Sequence, residues 1–187
     1  MTTADSRSAR ERIIDTAHRL FYQDGIRATG IDRIIKQAGV TKVTFYRHFP
    51  AKNDLILAFL RYRHERWIAW FRETLAREMA NGGTLPQALP ATLAQWFATA
   101  DFRGCAFINT AVEMADSLPE TLGQAREHKQ DMMREIAAFL PDDRQGAREA
   151  HKLALLVDGA IVMAQRGEEG AEVLSLLREC VADSLKR

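Results

Sequence analysis

Apolar side chains in this chain recur every three to four residues, and no stretch alternates apolar and polar positions as a half-buried strand does. Ile13, Ile14, Ala17, Leu20 and Phe21 form one such face, and Ile31, Ile34, Ile35 and Ala38 form a second. A longer one carries Leu55, Ile56, Phe59, Leu60, Tyr62, Trp67, Trp70 and Phe71. Glycine and proline fall between these runs, so the pattern predicts an all-α chain of about nine helices.

The breaks set the boundaries. Residues 1–7 are expected to be a disordered tail. The first helix begins near Ser8, which makes a capping box with Glu11, and ends at Gly25. The second is expected to start on Thr29 as N-cap, paired with Asp32. Gly39 then turns the chain where a positive φ suits glycine alone. Thr41 caps a third helix, with Val40, Phe45 and Phe49 packing inward, and Pro50 stops it. A fourth helix spans about 52–79 and breaks at Asn81-Gly82-Gly83. In the fifth, Leu89, Leu93, Trp96 and Phe97 face inward; Pro86 suits its first turn, whereas Pro90 is expected to kink it or delay its start. A short sixth helix runs to Met114, and three more are expected at about 119–140, 147–165 and 171–185.

The segment 29–52 carries the clearest chemistry. Two short helices meet at a glycine turn, and the second presents polar, basic and aromatic groups outward, as a helix entering the major groove of DNA must. Several of its elements occur together in one order: Arg12-Ile13-Ile14 through Leu20-Phe21 to Gly25, Gly39-Val40-Thr41, Thr44-Phe45-Tyr46, His48-Phe49, then Lys52 with Asp54-Leu55. On these residues, 10–60 resemble the DNA-binding domain of the TetR family of one-component transcriptional regulators. The resemblance implies that Thr29 and Gly30 meet backbone phosphates. It also implies that Thr41, Lys42, Val43, Thr44, Tyr46 and His48 face the groove or its phosphate walls, and that Lys52 holds a further phosphate. Val43 replaces a residue that is usually smaller. Ala51 replaces the usual serine or threonine cap, which weakens the start of the fourth helix by about 1 kcal/mol. The competing reading is a helix-turn-helix that binds no DNA, with Tyr46 and His48 in boundary packing.

The same resemblance implies a DNA-binding domain at 8–51 and a helical regulatory and dimerisation domain at 52–187. The partners it implies are a partly palindromic double-stranded operator bound by a homodimer, and an unknown small-molecule effector that releases it, with repression the expected direction. Gly104-Cys105-x-Phe107-x-Asn109 followed by Glu113 resembles, less closely, an element of such regulatory domains. Candidate effector contacts are His64, Trp67, Trp70, Phe71, Trp96, Phe107, Asn109, Glu113, His128 and Met132. Large aromatic and methionine side chains line apolar cavities, but equally they fill cores. The last two helices are apolar on more than one face. Leu153, Leu156, Val157, Ala160, Ile161, Ala164, Val173, Leu174, Leu177 and Val181 are therefore expected at a four-helix interface with a second copy. Coverage of both faces within one chain is the alternative.

Composition adds three points. The net charge of +1 hides an asymmetry: residues 1–66 hold 13 Lys/Arg against 7 Asp/Glu, a net of +6, and 67–187 hold 13 against 18, a net of −5. A basic amino-terminal part on an acidic remainder fits a DNA reader attached to something that stays off DNA. Two distant cysteines, Cys105 and Cys180, exclude a disulfide scaffold or metal cluster. Cys105 is either a redox-sensing thiol activated by Arg103 or a packing residue. No Glu-x-x-His pair, glycine-rich phosphate loop or Gly-x-Ser-x-Gly turn occurs, so no cofactor, metal or catalysis is implied. The rival classes are a dimeric helical adaptor for a protein partner and, further off, an all-helical enzyme. A polar start and no bilayer-length apolar run lead to the expectation of a cytoplasmic protein without a membrane partner.

Overall fold

The computed structural model describes residues 7–186, and among them are nine helices and no strand. The helices are α1 (Ala9–Asp24), α2 (Ile31–Ala38), α3 (Lys42–His48), α4 (Lys52–Ala80), α5 (Leu85–Phe97), α6 (Ala106–Met114), α7 (Glu120–Ala137), α8 (Arg144–Gln165) and α9 (Gly170–Leu185). Of the tail expected at 1–7, only Arg7 lies within the described residues; its guanidinium pairs with Asp15 at 2.8 Å. The chain forms two compact units. One comprises the chain through Glu65 together with Ala106–Gln124; the other comprises Arg66–Cys105 and the chain from Ala125 onward. The first unit therefore takes in more than the expected 8–51: the start of α4 and all of α6 belong to it.

In the first unit, the Ser8–Glu11 box opens α1 as the sequence predicts. The Glu11 amide donates to Ser8 Oγ at 3.2 Å and the Ser8 amide to Glu11 Oε2 at 2.7 Å. Ile13, Ala17 and Leu20 are wholly buried, and α1 packs on α2 and α3. The start of α2 differs from the expectation. Its N-cap is Gly30, with no side-chain cap, while Thr29 is fully buried. The Thr29 hydroxyl donates back to Gly25 O at 2.7 Å, so it ties the loop to the end of α1 instead of capping α2. At the other end of α2, Gly39 takes the left-handed conformation, φ 62°, and reverses the chain into α3. Phe45 of α3 and Phe49, its C-cap, are buried with ring centroids 6.2 Å apart, and Leu20, Phe21, Leu55, Ile56 and Phe59 are buried in the same unit. Ala51 does not leave α4 uncapped: Asp54 Oδ2 accepts its amide at 2.9 Å, half of a capping box built from the far side.

In the second unit, α9 packs against both α5 and α8. Pro90 neither delays α5 nor excludes itself from the helix. Gln87 Oε1 accepts from the Thr84 amide at 3.0 Å and fixes the start at Leu85, and Pro90 lies buried inside, where only the bond to the carbonyl of Pro86 is lost. α8 begins three residues before its expected start because Asp143 caps it, accepting the Gly146 amide at 2.7 Å. Buried Glu149 pins α8 to α9: its Oε1 accepts from Gln145 Nε2 at 2.7 Å and Lys152 Nζ at 2.9 Å, and its Oε2 from Ser184 Oγ at 2.8 Å. The Lys152 and Ser184 hydrogen bonds hold this carboxyl down from the usual 4.5 to about 2. A depressed carboxyl stabilises the fold above its unfolded pKa, and that contribution is lost as pH falls towards the folded one. Wild-type stability is thus expected to drop between about pH 4.5 and about 2 more steeply than that of Glu149→Gln, read by denaturant titration across that window. Parallel curves for the two proteins would remove Glu149 as the source.

Candidate nucleic-acid interface

Helix α3 has one buried side and one open side. Phe45 is fully buried, whereas Lys42, Val43, Tyr46 and Arg47 are exposed and Thr44 and His48 half-exposed. Positions 43, 46 and 47 share a face by the helical repeat, opposite Phe45 and Phe49. Thr41 Oγ1 accepts the Thr44 amide at 3.1 Å, and the two hydroxyls lie 2.9 Å apart, so Thr41 is both the cap and one of a pair of joined hydroxyls. Tyr46 stands edge-on to Phe45, with ring centroids 5.3 Å apart, and this braces an otherwise free aromatic. Val43 is 78% exposed, an apolar group of the kind that meets a thymine methyl in a major groove. Arg47 belongs to this face and was not among the residues singled out from the sequence. The exposed 43–46–47 stripe was its available signal.

The remaining expected phosphate contacts are placed unevenly. Gly30 is exposed, and the first amides of α2 carry no side-chain cap. Thr29 has no surface, and both its hydroxyl and its amide donate inside the unit, the latter to Ile26 O at 3.3 Å. Lys52 is half-buried, and its Nζ donates to Ile26 O at 2.6 Å, which leaves two of the three ammonium protons for a phosphate. Burial lowers the Lys52 pKa, against the opposing charge of Glu113.

The candidate effector residues divide between the units. His64, Phe107, Asn109 and Glu113 belong to the first, where His64 meets the Phe107 ring edge-on at 6.3 Å. Both Glu113 oxygens are occupied, by the amides of Ile26 and Arg27. Trp67, Trp70, Phe71, Trp96, His128 and Met132 belong to the second. There Trp67 stacks on Phe71 at 4.9 Å and meets His128 at 5.0 Å and Trp96 at 5.3 Å. Trp67 Nε1 is buried without a hydrogen-bond partner, so this indole donor is available to an incoming acceptor. Cys105 is 3% exposed, which fits packing better than sensing.

Of the ten residues expected at the copy-to-copy interface, seven lie in the core of the second unit: Leu153, Val157, Ala160, Ile161, Val173, Leu177 and Val181. Leu156, Ala164 and Leu174 are half-buried. The reason is that α9 is covered by α5 as well as α8, so much of the surplus apolar area closes within the chain. What stays open is a different stripe: Leu155 (74% exposed), Gly159 and Val162 on α8, and Leu176 with Cys180 on α9.

Comparison with known proteins agrees with this architecture. The model of the tetR family of bacterial regulatory proteins matches residues 13–59. An HTH-type transcriptional regulator of Staphylococcus aureus (strain USA300) is 33% identical over 69 residues, 37% of this chain and 37% of that relative, so the matched stretch spans little more than a third of the curated relative's length. A solved TetR-family regulator from Cytophaga hutchinsonii, 19% identical over the whole of both chains with a TM-score of 0.75, shares the fold. The crystal structure of a TetR-family transcriptional regulator from Streptomyces coelicolor superposes with a TM-score of 0.76 and 30% identity, over 95% of this chain and 94% of that one. With a helix-turn-helix at its amino end and a relative matched along nearly its full length, this chain belongs to the TetR family of transcriptional regulators, a family of regulators rather than enzymes.

Proposed function

We propose that this chain is a ligand-responsive repressor that binds a partly palindromic operator as a homodimer. The observation that carries the reading is the open face of α3. Thr41, Lys42, Val43, Thr44, Tyr46, Arg47 and His48 set donors, cations and one apolar contact on a short helix whose other side is anchored by Phe45. Two such helices would enter successive major grooves about one turn, roughly 34–36 Å, apart. Occupancy of the operator would obstruct transcription.

The second copy would dock on the open stripe of α8 and α9. Leu155, Val162 and Leu176 are exposed apolar side chains, and the bare Gly159 between the first two lets a facing helix approach closely. The effector is an apolar, aromatic-compatible molecule with an acceptor for Trp67 Nε1, held among Trp67, Trp70, Trp96 and His128. It acts by preferring one of two arrangements of α4, which runs unbroken for 29 residues. Without a difference in affinity between the two arrangements, no release follows.

A gel-shift assay with the DNA upstream of its own gene, repeated across salt concentrations, tests the reading. Affinity should fall as salt rises, by about 0.9 in log–log slope per neutralised phosphate, and unrelated duplex should compete poorly. Equal competition by any duplex would sink the operator proposal, and indifference to every duplex at low salt would sink DNA binding itself.

A further inference from the structure

We propose that Glu113 is a positioning residue for the DNA reader: together with Lys52 it clamps the Ile26 peptide, and so sets the loop from which α2 starts. The inference rests on the DNA-binding reading above and deepens it. Glu113 lies at the end of α6, 87 residues along the chain from Ile26, yet its Oε2 accepts the Ile26 amide at 3.1 Å and its Oε1 the Arg27 amide at 2.5 Å. Two consecutive amides aimed at one carboxylate make a backbone anion nest, here filled from within the protein. Gly25, at φ 88°, turns the chain so that both amides point the same way. A Cβ at Gly25 would sit in ordinary contact with Glu113 Oε1, at 3.7 Å, so it is the positive φ that reserves this position for glycine.

The other end of the same peptide is held as well. Lys52 Nζ donates to Ile26 O at 2.6 Å and lies 5.9 Å from the Phe21 ring centre. Ile26 is 2% exposed, so its peptide is bracketed by a carboxylate from α6 and an ammonium from α4, and both hydrogen bonds are charge-assisted. The Thr29 amide shares Ile26 O, and the next residue is Gly30, the N-cap of α2. Displacement of Glu113 is therefore passed through four residues to the start of α2, and from there through the Gly39 turn to α3. Anything that draws the Glu113 carboxylate away loosens the reader without touching DNA.

The test compares wild type with Glu113→Ala and Glu113→Gln. In amide-resolved NMR of the whole protein, the Ile26 and Arg27 amide protons should exchange faster and shift in Glu113→Ala, while amides of α8 and α9 keep their protection. Operator affinity should fall by about tenfold, within the usual span of coupling between sites. The salt slope should stay unchanged, because no phosphate contact is removed. Glu113→Gln retains one carbonyl acceptor and should recover part of both effects; it also serves if the alanine variant fails to fold. Unaltered Ile26 and Arg27 amides in both variants would overturn the clamp. Altered amides with operator affinity within twofold of wild type, or a changed slope, would overturn the positioning role. A wild-type chain that ignores duplex DNA would instead overturn the DNA-binding reading, and the amide signals would still report the clamp.

Discussion

Tyr46→Ala is expected to weaken operator binding by roughly ten- to a hundredfold, about 1–3 kcal/mol, without altering the salt slope. The side chain is 40% exposed on the open side of α3, and its ring is steadied edge-on by Phe45. It therefore reaches outward with little conformational freedom left to lose on binding. Being neutral, it neutralises no phosphate, so its loss should lower affinity equally at every salt concentration. Tyr46→Phe separates ring from hydroxyl: a large loss in this variant assigns the contact to the oxygen, and a small one to the ring. Arg47→Ala is the contrast, since loss of a cation that meets phosphate should flatten the slope by about 0.9. Wild-type affinity in Tyr46→Ala would mean that α3 does not dock through its 43–46–47 face, and the recognition scheme would have to be redrawn.

Much of the reader was legible because its signals are local. Ser8 with Glu11, Thr41 as the cap of α3, Gly39 with its left-handed φ and Pro50 beyond α3 all act within a turn of themselves, and each stands where the pattern put it. The residues that escaped are those whose role depends on distant chain. Thr29 has the composition of a cap, and only the closeness of Gly25 O turns its hydroxyl inward. Lys52 has the composition of a phosphate contact, and only the Ile26 carbonyl beside it shows a second use. Glu113 read as a polar group for a ligand because nothing near it in sequence hints at Ile26 and Arg27. Arg47 is the opposite case: it is local, and with Phe45 and Phe49 already expected inward the helical repeat alone sets it beside positions 43 and 46 on the open side of α3. The start of α8, expected at about 147, lies three residues earlier because the Asp143 side chain accepts the Gly146 amide, a contact that periodicity of apolar residues does not report.

The apolar surplus of the last two helices teaches the same lesson and carries the second large expectation. Seven of the expected interface residues, Ala160 among them, lie in the core of the second unit, so a bulky charge at Ala160 would damage the unit itself and would say nothing about pairing. Leu155 is the informative position. At 74% exposure it loses almost nothing when replaced by glutamate in an isolated chain, where exposed substitutions cost within about 0.5 kcal/mol. In a docked pair, the same carboxylate would be buried against the partner's apolar stripe without a counter-charge, a penalty of several kcal/mol. Leu155→Glu combined with Val162→Glu is therefore expected to give a folded monomer in sedimentation, with an unchanged helical circular dichroism spectrum. Binding to the full operator should fall far more than binding to a half-site, because two linked readers gain from effective concentration and a single one does not. A stable dimer of the double variant would move the pairing surface away from α8. A monomer that kept full operator affinity would show that the two half-sites are read independently.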